Sequence, residues 1–244
     1  MAPAETATTM TRARFQHTLD WEDYWTDADE DDRESSSPSA QLICEPLLEF
    51  LEKTNPPTSF ADVGCGTGVL AEAVAERYPS ATVVGYDAAR AVVEENRERV
   101  RREGPESVAY EQATLPAFEP GRQFDVVTCF YTLCYVADVE AALQALYHAV
   151  APGGHLVFTY HNRMGSAHFR RMAEEPEQYF DEDSTFDAER FPERFQLLIE
   201  GENLLSYERI AEILGTRPRS VWSVAEDAEK YGAWRHNPLV YVPK

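Results

Sequence analysis

Lysine is nearly absent from this chain. Lys53, Lys230 and Lys244 are the three lysines among 244 residues, so arginine supplies almost all of the 22 Lys+Arg set against 43 Asp+Glu. A formal charge of −21 argues against a polyanionic partner, because nucleic-acid binding is driven by neutralising phosphates. Long apolar runs are missing as well. No stretch approaches the roughly 18 consecutive apolar residues of a membrane span, which excludes an integral membrane protein. The segment Met1 to Thr6 lacks the apolar core of a secretory signal. Cysteine is sparse: Cys44, Cys65, Cys129 and Cys134 show no Cys-x-x-Cys spacing. Neither a disulfide framework nor a metal site is expected from them, and the expected compartment is the reducing cytoplasm.

What is present is a globular balance, 43% hydrophobic and 27% charged. The length corresponds to one large domain or two small ones, at about 150 residues per domain. Few lysines beside many acids resembles the composition of proteins from salt-loving organisms, kept soluble by dense surface charge. The plain alternative is an ordinary acidic protein. In molar salt the Debye length shrinks to about 3 Å, and the objection to a polyanionic partner weakens.

Residues 1–38 read as a flexible acidic arm with an acidic run at Asp27 to Asp32 and serines at Ser35 to Ser37. An aromatic island, Trp21, Tyr24 and Trp25, interrupts it. Three aromatics in five residues suit docking rather than disorder. The island either packs on the body of the fold or closes over a ligand site. From residue 39 the pattern is regular. Leu42, Ile43, Leu47, Leu48 and Leu51 have helical spacing. Apolar strands are expected at 59–63, 81–86, 108–110, 124–130 and 155–160, alternating with helices near 69–78, 89–103 and 139–150. Continuous apolar strands alternating with helices specify a parallel sheet covered on both faces. After Asn162 an insertion spans 163–203. A helix at 206–214 with Ser206 as N-cap and two late strands, near 219–224 and 239–242, complete one α/β domain.

The segment Asp62-Val63-Gly64-Cys65-Gly66-Thr67-Gly68 falls between a strand and a helix. Glycines there allow a tight turn and let a ligand approach the main chain. A helix N-terminus at the carboxyl edge of a parallel strand adds unpaired N–H groups. The third glycine comes one residue earlier than in the dinucleotide fingerprint, and no Gly-Lys-Ser/Thr of a P-loop follows. About twenty residues on, the second strand ends in Asp87, placed to accept from the two hydroxyls of a ribose. The pair specifies a nucleoside site.

These residues resemble the first motif of the class I S-adenosylmethionine-dependent methyltransferases. Asp87, Leu115-Pro116, Phe124-Asp125-Val126-Val127, Tyr135-Val136 and Pro152-Gly153-Gly154 resemble later motifs of that family, in order. The resemblance covers about residues 40 to 160. It implies a doubly wound, mostly parallel seven-stranded Rossmann-like sheet with helices on both faces, and S-adenosyl-L-methionine as cofactor. It further implies that the cofactor lies against Asp62, Gly64, Cys65, Gly66, Gly68, Asp87, Ala88, Gln112, Ala113, Cys129 and Phe130. The usual aspartate after the third strand is missing; Glu111 or Gln112 stands there as the adenine contact, the Gln112 oxygen being able to accept from an amino group.

Methyl transfer is a direct displacement, so alignment matters most, with a base needed when the nucleophile arrives protonated. His161 and Tyr131 are the catalytic candidates; a second-layer histidine and a cofactor wall are the respective alternatives. Arg163, Arg170 and Arg171 either form a fork for an acidic group on the acceptor or are solvated helix-face residues. Trp234 to Pro238 either lines the acceptor pocket or anchors the last strand. The expected partner is a small-molecule acceptor, with the protein a monomer or homodimer. A short likeness of residues 160–165 to methyltransferases of carboxymethoxyuridine in tRNA keeps an RNA acceptor as the alternative. A cofactor-binding protein without transfer activity is the other.

Overall fold

The structure is a computed structural model that describes residues 19–181, 184–225 and 235–244. Seven strands form one sheet, β1 (Ser59–Val63), β2 (Thr82–Asp87), β3 (Val108–Gln112), β4 (Phe124–Cys129), β5 (Val150–Thr159), β6 (Arg219–Ser220) and β7 (Leu239–Pro243). Their order is β3-β2-β1-β4-β5-β7-β6. The first five pair in parallel, and β7 runs antiparallel between β5 and β6. The doubly wound α/β arrangement is present, closed by an antiparallel hairpin at one edge. The order reverses between β1 and β4, which opens a crevice at the carboxyl ends of those strands.

Alternate strand residues feed two cores. Phe60, Val83, Val126, Val157 and Tyr241 belong to one layer with Leu70, Val74 and Val93. Their strand neighbours Ala61, Val84, Val127, Phe158 and Val240 belong to the other, with Leu143 and Leu146. The period of two places successive side chains on opposite faces. The covering helices are α4 (Cys44–Thr54), α5 (Val69–Arg77), α6 (Arg90–Glu103), α7 (Val139–His148) and α11 (Tyr207–Leu214). Ser206 caps α11 by accepting from Arg209 N–H at 3.2 Å.

Two segments differ from the sequence expectation. The arm is helical where it is described: α1 (Trp21–Asp27), α2 (Glu30–Ser35) and α3 (Pro38–Leu42). The acidic run read as a flexible stretch begins a helix, because Asp29 accepts from Asp32 N–H at 2.9 Å and the acids of the first turn complement the helix dipole. Residues 1–18 lie outside the described residues. The late strand expected at 219–224 is two residues long and passes into a 3-10 turn, Val221–Ser223. The insertion folds as α8 (Arg163–Glu174), α9 (Phe191–Arg194) and α10 (Gln196–Glu200). It packs through Phe191, Phe195 and Leu198 onto Cys134. Asn203 ties it down, donating to the carbonyls of Leu133 and Cys134 at 3.0 and 2.8 Å. Among the described residues no helix is long and apolar enough to cross a membrane.

Candidate functional site

The turn after β1 is held from behind by side chains of the body. Asn96 Nδ2 donates to Gly66 O at 2.7 Å, Arg99 Nη2 to Thr67 O at 2.6 Å and Tyr110 Oη to Gly68 O at 3.1 Å. On its front, Gly66 N–H donates to Asp87 Oδ2 at 2.9 Å, and Asp87 Oδ1 accepts from Ala89 N–H at 3.1 Å. Gly66 and Gly68 have φ of +49° and +76°, a region where a β-carbon is strained. A β-carbon on Gly68 would also collide with Tyr110 Oη. At Gly66 a β-carbon would enter the space under Trp25, whose ring would lie 3.4 Å away.

A cavity of about 830 Å³ opens in front of this turn, in the upper part of the roughly 300–1,000 Å³ range of small-ligand sites. Its floor is the carboxyl edge of the sheet: Gly64 to Gly66 after β1, Asp87 and Ala88 at β2, Ala113 after β3, Phe130 and Tyr131 after β4, and His161 after β5. Its roof comes from the arm, through Trp21, Trp25 and Ser36, and from the insertion, through Phe169, Phe186 and Arg194. The arm also meets the turn directly, the hydroxyls of Ser37 and Thr67 being 2.8 Å apart.

Asp62, Gly68, Gln112 and Cys129 are not on the cavity wall. Asp62 is buried behind the turn, where Thr128 Oγ1 donates to it at 2.8 Å. Burial, with a smaller contribution from the Asp87 charge, pushes its carboxyl up to about 7, against the Thr128 bond. Cys129 is fully buried in the strand. Gln112 is exposed and donates to Ala88 O at 2.8 Å, so its amide braces the neighbouring loop. The wall beside it is instead residues 113–117.

The two catalytic candidates differ in character. Tyr131 has φ +54°, the one non-glycine residue among those described with positive φ, and its N–H donates to Thr159 Oγ1 at 2.9 Å. Such conformations persist where surrounding structure enforces them and cluster at functional sites. Burial pushes its phenol up, so it remains protonated at neutral pH. His161 is 7% exposed and packs edge-on to Phe169. Burial, then the neighbouring His236, holds its imidazole down to about 3, leaving it neutral.

The sequence also pointed to three arginines, all on α8, that are not on the cavity wall. Arg163, Arg170 and Arg171 are exposed; Arg170 donates to Ile199 O at 3.0 Å and Arg171 pairs with Glu175. Arg194 lines the cavity without having been singled out, and Ser36 and Tyr135, named only within a serine run and a motif, line it too. Their common signal is placement by tertiary packing rather than by motif. Of the segment 234–238, His236 and Asn237 reach the wall, while Trp234 lies outside the described residues.

A glycine turn braced against a strand-end acid, at the switch point of a doubly wound sheet, defines a nucleoside-binding α/β protein. A family profile described as a methyltransferase domain matches residues 36–204, and this chain belongs to that S-adenosylmethionine-dependent family. The ubiquinone biosynthesis O-methyltransferase of Pseudomonas fluorescens is 40% identical over 109 residues, 44% of this chain and 46% of the relative. That of Acinetobacter baumannii is 38% identical over 104 residues, 42% and 43% of the two. The chain spans about half the length of the curated relatives it matches. Its fold is similar to the plantazolicin methyltransferase BpumL in complex with SAH, with TM-score 0.62, 12% identity and 98% of both chains covered. It is also similar to PKMT2 from Rickettsia typhi in complex with AdoHcy, with TM-score 0.54, 14% identity, and 84% of this chain and 53% of that one covered.

Proposed function

We propose that this chain transfers a methyl group from S-adenosyl-L-methionine to a small-molecule acceptor, with residues 163–203 as a cap over the acceptor. The observation that carries the reading is continuity: one cavity runs from Gly66 and Asp87 to His161 and the aromatic roof. The residues fit the cofactor, since the space before Gly66 has no β-carbon in it and Asp87 presents a carboxylate at the ribose position. When bound, the cofactor supplies an electrophilic methyl carbon on a positively charged sulfur.

The chain's own residues then do three things. The roof of Trp21, Trp25, Phe169 and Phe186 excludes water and fixes the acceptor's approach, which is where most of the rate gain of such a displacement arises. Tyr131, its hydroxyl buried and protonated, forms part of the wall against which the acceptor and cofactor meet. His161, neutral, accepts one from an acceptor hydroxyl or amine and so aims its lone pair. An imidazole held near 3 does not retain a proton at pH 7, so His161 acts as a positioning acceptor, and the proton of the acceptor group leaves to water as the methylated product forms.

The roofed cavity and the charge of −21 support a small acceptor over a polynucleotide. The 40% identity to O-methyltransferases supports an oxygen nucleophile. The test is calorimetry with S-adenosylhomocysteine, followed by incubation of a cell lysate, RNA included, with methyl-labelled cofactor. Saturable binding and label in low-mass products are expected; no heat at any salt concentration, or label confined to RNA, would overturn the reading.

A further inference from the structure

Arg194 is the buried charge that methyl transfer leaves unexplained. It is 7% exposed and on the cavity wall. Its five N–H donors are all taken, each by a neutral oxygen. Nε donates to Tyr135 Oη at 3.2 Å, Nη1 to Tyr24 Oη at 3.3 Å and Ser35 Oγ at 3.1 Å, and Nη2 to Ser35 O at 3.3 Å and Ser36 Oγ at 2.9 Å. The rings of Tyr24, Phe186 and Phe195 lie 5.4, 5.2 and 5.3 Å from its guanidinium carbon. Among the described residues no carboxylate pairs with it; the nearby Asp32 is 4.0 Å from Arg190 instead.

Hydrogen bonding is therefore satisfied and charge is not. Buried charges in proteins are ordinarily paired, because desolvation without a counter-charge is costly. Ring faces soften that cost without cancelling it. The surroundings can also release a donor. Ser36 Oγ lies 2.7 Å from Tyr24 Oη, so Ser36 keeps a partner if an anion takes its place on Nη2. Ser36 and Tyr135 both line the cavity beside Arg194; Tyr24 gives its own proton to Asp32 O at 2.9 Å, so the Ser36 proton rests on Tyr24 and reaches an anion by rotation of the hydroxyl.

We propose that Arg194, with Ser36 and Tyr135, is the anchor for a ligand carboxylate in the cavity. The proposal rests on the methyl-transfer reading and narrows it. The carboxylate is either that of an acidic acceptor with a planar apolar frame, suited to the aromatic roof, or that of the cofactor's amino-acid tail. A bidentate guanidinium–carboxylate contact beside two hydroxyl donors is the strong form of this recognition.

Two ligand pairs test it by calorimetry, on wild type, Arg194→Lys and Arg194→Gln. The first pair is S-adenosylhomocysteine and 5′-methylthioadenosine, which lacks the amino-acid tail. The second, added to protein saturated with S-adenosylhomocysteine, is a panel of aromatic acids such as benzoate, each with its amide. In one pair, Arg194→Gln is expected to weaken the carboxylate-bearing member at least tenfold more than its partner, with Arg194→Lys recovering much of the loss. Separation in the first pair assigns the carboxylate to the cofactor, and separation in the second to the acceptor. If Arg194→Gln does not fold, Ser36→Ala and Arg194→Lys are read in the same way. Equal losses within both pairs overturn the proposal and leave Arg194 as a tie between arm and cap. Failure of wild type to bind either nucleoside overturns the methyl-transfer reading itself, a distinct result.

Discussion

Gly66 and Asp87 hold each other at the carboxyl ends of the neighbouring strands β1 and β2, the Gly66 N–H donating to the Asp87 carboxylate at 2.9 Å. With Asn96 on the opposite side of the same residue at 2.7 Å, Gly66 is clamped through both its N–H and its C=O. The turn is therefore set before any ligand arrives, and one carboxylate serves both the loop and the proposed ribose.

Asp87→Ala should consequently lower both stability and affinity. Losing a hydrogen bond to a charged group is worth about 1.5–3 kcal/mol, so S-adenosylhomocysteine binding should weaken about 10- to 100-fold with a lower Tm. Calorimetry and a melting curve on one preparation check it; unchanged affinity would remove Asp87 from the site.

Gly68 faces a different obstacle. Gly68→Ala pushes a β-carbon into Tyr110 Oη at a backbone angle of +76°. Overpacking of this kind typically costs about 1–3 kcal/mol. In a Tyr110→Ala background, which removes the clashing hydroxyl and ring carbons together, the same Gly68→Ala step should cost less in chemical denaturation. An equal cost in both backgrounds would place the whole loss in the backbone angle.

His161 gives a pH prediction with a definite sign. Its imidazole is held down to about 3 by burial first and His236 second, against about 6.5 in an unfolded chain. Below about pH 6.5 the unfolded state takes up a proton that the folded state refuses. Stability from this group is thus complete above 6.5 and is lost as pH falls toward 3, by up to about 1.4 kcal/mol per pH unit. His161→Gln should lose less Tm than wild type between pH 7 and pH 5. Parallel losses would show that the fold does not hold this imidazole neutral.

Forty-three acidic residues against 22 basic ones make self-repulsion the dominant long-range electrostatic effect. Screening reduces it as the Debye length falls from about 10 Å at 0.1 M to about 3 Å at 1 M. Tm should rise from 0.1 M to molar potassium chloride, as scanning calorimetry would register. A flat or falling trend would reject the salt-adapted reading of the composition.

The arm should matter for folding as well as for ligand. Tyr24 and Trp25 are each 4% exposed and pack on Ala89 and Val92, while Trp25 also lines the cavity. Trp25→Ala should cost about 3–5 kcal/mol, the usual range for a buried tryptophan, and shrink the ligand-induced rise in Tm. A variant that melts like wild type without ligand but loses that rise would identify a mobile lid rather than a docked wall.

Local pattern carried most of this fold. The Gly64–Gly68 turn, Asp87 and the five parallel strands were legible because spacing and strand context specify them. Arg194 was not, because its meaning lies in Tyr24, Ser35, Ser36 and Tyr135, which are remote in sequence. Asp29 to Asp32 misled for a physical reason: acids that suggest disorder by composition also favour the first turn of a helix. Gln112 shows how much a motif leaves to the fold: its amide nitrogen donates to Ala88 O at 2.8 Å, which braces the neighbouring loop and leaves the side-chain oxygen for the adenine contact that the resemblance implies.

The reversed direction of β7 has a practical side. Because that strand runs against its neighbours, its leading end carries His236 and Asn237 to the cavity, and its trailing end places Lys244 at the opposite edge. There the Lys244 amine lies on the carbonyls of Tyr147 and His148 at 2.9 and 3.0 Å. At about 3.3 Å per residue, roughly 20 Å of strand separates that amine from the cavity wall. In a chain so poor in lysine, amine-directed coupling has few places to act, and one of them would present the cavity mouth outward from a sensor surface or resin.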